Sequence, residues 1–324
     1  VTGSVAAWLP VVFAVGLGVV ILAQLLTLGD PRRWGRAAGA PVARAGQVTR
    51  GAATSTASSV ARRARRAGVG VSDRARTWAS WRPTRRQVFL AAVVVGGVLR
   101  LLWVIWATRT PTELRDPAEY LRMAVGFSHG ETPRFGGGGD PSAFWPPGYP
   151  AVLTPFVWFA EHTGWASTAF VASLVNVAAG TATIALTGLL ADRWIGPTAR
   201  SVAAWLVALC PGLIYWTATA HTETAFTPVF LGVIVLASAA AASPSRRRWV
   251  IVGALVALAF LVRSPGVIGL AVPALAIRAT NGSWKGAVRV TALVAVVAGA
   301  LLVPWTIRNG VQVGVWSPGS TNSA

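Results

Sequence analysis

From residue 88 onward the chain alternates long apolar stretches with short polar connectors. An apolar run of roughly twenty residues suffices to cross a hydrocarbon core about 30 Å thick as a helix. On that measure, spans are predicted at 88–107, 166–190, 201–216, 224–242, 249–261, 266–277 and 287–303. Some are short for a straight crossing, which suits tilted or broken helices. They are apolar all round and rich in Ala and Gly, the pattern of helices that pack on one another through small residues in lipid. An earlier run, 5–28, also has spanning length. It reads as a membrane helix rather than a signal peptide, because it lacks a basic leader and a small-residue cleavage site and its apolar part is too long. The expected fold class is therefore all-α, a polytopic transmembrane helix bundle.

Composition agrees. Charged residues make up 12% of the chain and hydrophobic ones 54%, whereas soluble domains carry roughly a quarter charged residues. The formal charge of +19 raises the question of nucleic acid, but about half of the arginines lie between Arg32 and Arg86. That segment is rich in Arg, Ala, Gly, Ser and Thr, with few aromatics and no nucleic-acid motif. It reads as a partly disordered cytoplasmic linker, 30–87, whose arginines set topology and touch anionic lipid; no nucleic-acid partner is expected. With Cys210 as the single cysteine, the chain can form neither an internal disulfide nor a thiolate metal cluster.

The arginine-rich linker also orients the bundle. If it is cytoplasmic, the connectors bearing Arg193 and Arg200, Arg246 to Arg248, and Arg278, Lys285 and Arg289 all fall on the same inner side, as the positive-inside rule requires. The opposite side then collects the loop 108–147, the turn with His221 and Glu223, the Arg263–Pro265 turn and the segment from Trp305 to Asn309. Five of the ten acidic residues stand in the outer loop: Glu113, Asp116, Glu119, Glu131 and Asp140. The expected organisation is an N-terminal helix, 1–29, the linker, 30–87, and a membrane domain, 88–324, on a multi-pass plasma-membrane protein.

Within the outer loop, Asp116 followed by Pro117 reads as the N-cap and first residue of a short amphipathic helix. Capping and catalysis are compatible, since a rigid carboxylate kept ionised by helix N–H groups is suited to act as a base. Arg100 lies inside the first span, where a charge needs a partner: a carboxylate, a lipid phosphate or a plain structural pairing. Gly136 to Gly139 follow no strand, so they read as a flexible segment rather than a nucleotide loop. Pro146 to Pro150 read as a rigid turn back to the membrane. Trp103, Trp106, Trp145, Trp158, Trp165, Trp216 and Trp305 stand near span ends, as an aromatic belt does.

The ordered series Asp116-x-x-x-Tyr120, Trp145-Pro-Pro-Gly-Tyr-Pro150, Glu223 at an outer helix end, Leu261-Val-Arg263 and Pro304-Trp-Thr-Ile-Arg-Asn309 resembles the GT-C membrane glycosyltransferases. The likeness is to glycosyltransferase family 39, the protein O-mannosyltransferase and lipid A aminoarabinose transferase group. It runs from about residue 87 to the end. Family members often carry an acidic residue after the aspartate, where this chain has Pro117 and then Glu119. They also continue beyond the Pro-Trp-x-x-Arg-Asn segment, so a chain truncated at its C-terminus is expected.

The resemblance implies transfer of a sugar from a polyprenyl-phosphate carrier to a lipid, glycan or protein acceptor outside the membrane. It places the base at Asp116 and substrate contacts at Glu119, Tyr120, Tyr149, His221, Glu223, Arg263, Arg308 and Asn309. Arg263 and Arg308 would meet the phosphate, to which a guanidinium offers two parallel donors. His221 and Glu223 would bind sugar hydroxyls or, with Asp116, a divalent cation; plain interface residues are the alternative. No other cofactor is expected. Two other functions remain open: a transporter or lipid-carrier flippase, which would also need intramembrane charge and broken helices, and a non-catalytic membrane scaffold.

Overall fold

A computed structural model describes residues 83–107, 115–134 and 139–321. The N-terminal helix and all but the end of the basic linker lie outside the described residues, as does Gly136 to Gly138. The described residues are almost wholly helical and contain no sheet. In chain order the helices are α1 (Arg85–Ala107), α2 (Arg115–Ser128), α3 (Gly148–Thr163), α4 (Thr168–Trp194), α5 (Pro197–Ala208), α6 (Pro211–Tyr215), α7 (Thr222–Ala242), α8 (Arg246–Val262), α9 (Ala271–Asn281) and α10 (Trp284–Val313). Two 3-10 segments, Trp216–Ala218 and Ser264–Leu270, follow α6 and α8.

Helices α1, α4, α7 and α10 are long and apolar enough to cross a membrane, and α5 with α6 and the turn after it reaches that length and apolarity only as a pair, bent by 57°. The chain is thus a multi-pass membrane protein with the all-α architecture its sequence predicts. Local chemistry fixes the ends. Ser167 and Ser283 cap α4 and α10 by accepting from the amides of Phe170 and Gly286. Glycines in the left-handed region, Gly164 and Gly314, terminate α3 and α10, a conformation in which a Cβ would be strained. The bend has an equally local cause. Pro197 starts α5, and Pro211, which has no N–H to continue a ladder, starts α6 after Leu209 and Cys210.

One departure from the sequence reading concerns 146–163. Pro146 to Pro150 do not make a free-standing turn, because the helix α3 begins at Gly148 and takes Pro150 into its first turn, where a missing N–H costs nothing.

The helices pack in three groups, one of which, around Tyr120, Trp145, Tyr149 and Leu153, joins α2 and α3 to the bundle. Phe89 and Ala92 of α1 meet Ile184 of α4 and Ala204 and Ala208 of α5. Val233 and Leu236 of α7, Val252 and Leu255 of α8, Ile277 of α9 and Val294 of α10 build another. Small residues permit the close approaches: a Cβ on Gly96 would come within 2.8 Å of the Ala208 methyl, and one on Gly253 within 2.8 Å of Val297.

Arg100 is fully buried on α1. Its protein partners are backbone carbonyls rather than a carboxylate. One terminal nitrogen donates to Gly96 at 2.9 Å and Ala208 at 3.2 Å, the other to Val207 at 3.0 Å. Ala208 closes α5, so the guanidinium answers carbonyls that the break strips of their helical donors, at the helix end that favours a cation. Gly180 of α4 leaves the space, since a Cβ there would lie 2.7 Å from the Arg100 Nε.

The two ends of the bundle differ in chemistry. At one, Arg193 donates to the Ser238 carbonyl, Arg200 pairs with Asp192 at 3.3 Å and Arg248 donates to the Ser243 carbonyl. The other gathers the outer loop, the His221 turn, the Arg263 turn and the end of α10. The expected outcome of Arg100→Leu is a loss of about 3 kcal/mol, because the Val207 and Ala208 carbonyls lose their donors inside the bundle. Thermal unfolding of the purified protein in nanodiscs measures it.

Candidate functional site

Helix α2 opens the site. It begins at Arg115, so Asp116 stands within its first turn rather than capping it ahead of Pro117, and its carboxylate is exposed. Helices favour anions in their first turn. Asp116 Oδ1 accepts a hydrogen bond of 2.9 Å from the indole N–H of Trp145, a buried side chain. The carboxylate is thus aimed by a rigid donor across 29 residues of sequence.

Tyr120, one helical turn on, points inward and is buried. Its ring meets Tyr149 edge-on with centroids 5.8 Å apart, and its hydroxyl hydrogen-bonds with Thr222. Burial, and after it the negative charge of Asp116, pushes the Tyr120 phenol up to about 12. It therefore stays protonated at any physiological pH and serves as a donor.

Thr222 joins α2 to the charged part of the site. Its hydroxyl also accepts from Arg263 at 3.1 Å and lies 3.3 Å from the Glu223 carboxylate. Glu223 forms an ion pair with Arg263 through one oxygen and lies 3.5 Å from the Nδ1 of His221 through the other. Glu223 and Arg263 are each partly open to solvent. His221 is more enclosed, packs edge-on against Trp216 at 4.9 Å, and shields its second nitrogen completely. The imidazole therefore orients Glu223 instead of facing the open side itself.

Tyr149 is fully buried at the start of α3. Its hydroxyl donates to Asn176 of α4 at 3.0 Å, and Asn176 donates in turn to the Thr219 carbonyl at 2.6 Å. This chain of bonds ties α3 and α4 to the turn that presents His221. The backbone of Gly148 lies directly on the end of α8, where a Cβ would come 2.6 Å from the Leu261 carbonyl carbon. That contact brings the start of α3 against the helix that ends at Arg263.

Arg308 and Asn309 do different work. Arg308 donates to the Ser142 carbonyl at 2.7 Å and to the Pro133 carbonyl at 2.9 Å, clamping both sides of the outer loop to α10. The loop is pinched there by a bridge between Arg134 and Pro141. Asn309 is fully buried and donates to the Ser317 carbonyl at 2.9 Å, fixing the turn after α10. That segment then crosses to the site: Ser320 meets Ser264 at 3.2 Å, and the Thr321 amide donates to the Ala143 carbonyl at 2.9 Å.

Glu119 forms an ion pair with Arg122 on the same helix. With Met123, Gly126 and Glu131 to Arg134 these two line a small cavity of about 40 Å³. Among the described residues, no three His, Cys, Asp or Glu side chains converge as a metal-ligand set. His221 and Glu223 form a pair without Asp116, and Glu223 is already committed to Arg263.

The open face of this arrangement thus presents Asp116, Glu223 and Arg263. Sequence reasoning singled out all three, but missed Trp145, Thr222 and Asn176 as the residues that hold them together. Trp145 stands in the motif at the mouth of α3, which was its one sequence signal.

Residues 148–307 match the family described as dolichyl-phosphate-mannose-protein mannosyltransferase. The match, to a GT-C-like domain of that family, covers just under half of the chain's length. The matched stretch contains Tyr149, His221, Glu223 and Arg263, while Asp116 precedes it and Arg308 follows it. No curated protein and no solved structure matches the chain.

Removing the Arg308 clamp should loosen the loop and leave the bundle intact. In Arg308→Ala the Ser142 amide, which donates to the Pro133 carbonyl at 2.9 Å, is expected to exchange about tenfold faster, since charged hydrogen bonds each contribute about 1.5–3 kcal/mol. Hydrogen exchange with mass spectrometry over 131–145, compared with α7 and α8, reads this.

Proposed function

We propose that the protein is an integral-membrane glycosyltransferase that moves a sugar from a polyprenyl-phosphate donor to an acceptor hydroxyl on the extracytoplasmic face of the plasma membrane. The observation that carries this reading is the shared open face of Asp116 and Arg263. A carboxylate and a guanidinium, linked through Tyr120 and Thr222, stand at one end of a membrane bundle. The family match over 148–307 supports the same class of reaction. The end of the bundle opposite the basic connectors is taken as the outer one, following the positive-inside rule.

A lipid-linked sugar phosphate keeps its tail in the bilayer and its head at the interface, so its reacting carbon meets the protein at a helix-bundle end. Asp116 takes the proton of the acceptor hydroxyl as that oxygen attacks the anomeric carbon. The bond from that carbon to the phosphate oxygen breaks, and its electron pair leaves with the carrier phosphate. Arg263 stabilises the growing charge there with two-point hydrogen bonding. A single base and direct displacement invert the anomeric centre. Glu223, held by Arg263 and His221, is placed to accept hydrogen bonds from sugar hydroxyls. Tyr149, Arg308 and Asn309 support the site from behind.

The transporter reading depended on an intramembrane charge and a broken helix. Arg100 and the end of α5 account for each other, so neither calls for a transport path.

Asp116→Asn keeps the Trp145 contact and removes the base. Transfer of labelled sugar from polyprenyl-phosphate donors is expected to fall by about 100-fold or more, with membrane insertion and thermal stability unchanged. Turnover at the wild-type rate would remove Asp116 from this role.

A further inference from the structure

Away from the charged cluster lies a groove of about 290 Å³, lined by Trp103, Trp106 and Ala107 from the end of α1 and by Tyr215, Ala218 and Thr219 from the bent α5–α6 segment. Its aromatic rings are in sequence: Trp106 to Trp103 with centroids 5.1 Å apart, Trp103 to Tyr215 at 5.9 Å, Tyr215 to Trp216 at 5.2 Å and Trp216 to His221 at 4.9 Å. The run ends at the imidazole that orients Glu223. Trp103 is fixed by donating its indole N–H to the Tyr215 carbonyl at 3.1 Å. Trp106 and Tyr215 remain 69% and 55% exposed. The groove is open, and its rings have free faces.

Height in the membrane narrows the occupant. Ala107 follows Val88 by about 30 Å of helix axis, the thickness of the hydrocarbon core. The groove therefore stands at the outer interface, level with the His221 turn, where Trp and Tyr belong. A hydrocarbon tail leaves that level for the bilayer interior, whereas a saccharide ring stays in it. A sugar ring also matches the lining, because its C–H faces carry partial positive charge that suits the negative faces of indole and phenol rings. The hydroxyls of Tyr215 and Thr219 add the few polar groups that fix orientation in such pockets. The volume takes about one sugar unit. Resting on the transferase reading above, we infer that this groove is an acceptor subsite for a saccharide ring, which makes the acceptor a glycan or glycolipid sugar rather than a protein side chain.

The test uses the full chain in nanodiscs and saturation-transfer NMR with methyl glycosides of common pyranoses and furanoses, alongside a short polyprenol. Wild type is expected to give ring-proton transfer from at least one glycoside, and Trp106→Ala, at an exposed position, to weaken that binding about fivefold to tenfold. Transfer that involves only the polyprenol would overturn the proposal and assign the groove to lipid. Glycoside binding unchanged in both Trp106→Ala and Tyr215→Ala would also overturn it, by placing the sugar elsewhere. Neither of those results touches the transferase reading, which fails separately if Asp116→Asn turns over normally.

Discussion

A backbone carbonyl inside a membrane protein must find a donor within the protein, and the candidate site depends on how one set of carbonyls is answered. The chain bends after α5 because Pro211 cannot extend the ladder, and Arg100 reaches over from α1 to take up the freed acceptors. With that end fixed, α6 and the short turn after it leave α5 at a steep angle and deliver Thr219 to Asn176 and His221 to Glu223. A straight helix through the same residues would carry the His221 turn elsewhere. The charged cluster at the surface is therefore tied to a guanidinium in the interior.

The same economy appears in the division of labour among polar side chains. Arg263 faces outward but is balanced by Glu223, while Arg308 turns away to hold the loop. Tyr120 and Tyr149 meet edge to face, yet one reaches Thr222 in the charged cluster and the other braces the helix behind it. Such a second layer braces Asp116, in the first turn of its helix, and Arg263, at the end of another.

Much of the fold was legible in the sequence because its signals are strong. Apolar length marks spans, and the basic connectors mark a side. Asp116, Glu223 and Arg263 could be singled out because few charged residues stand in an apolar chain. The remainder depends on partners that carry no sequence signature. Arg100 bonds to backbone carbonyls, and no inspection of side chains would identify those. Helix α3 was missed because its prolines resemble a turn until the first of them is placed in the opening turn of a helix. Arg308 was singled out from its sequence neighbours, which could not show that it also donates to the carbonyls of Pro133 and Ser142, more than a hundred residues away.

Gly148 carries a consequence of another kind. It has no side chain and no charge, and it takes part in no proton or phosphate chemistry, yet even a methyl group there would meet the backbone of Leu261 and Val262. In genetic terms, alleles at codon 148 should behave like active-site nulls. A mutational scan would then rank this glycine beside Asp116, although what it contributes is only the room for two helix ends to touch.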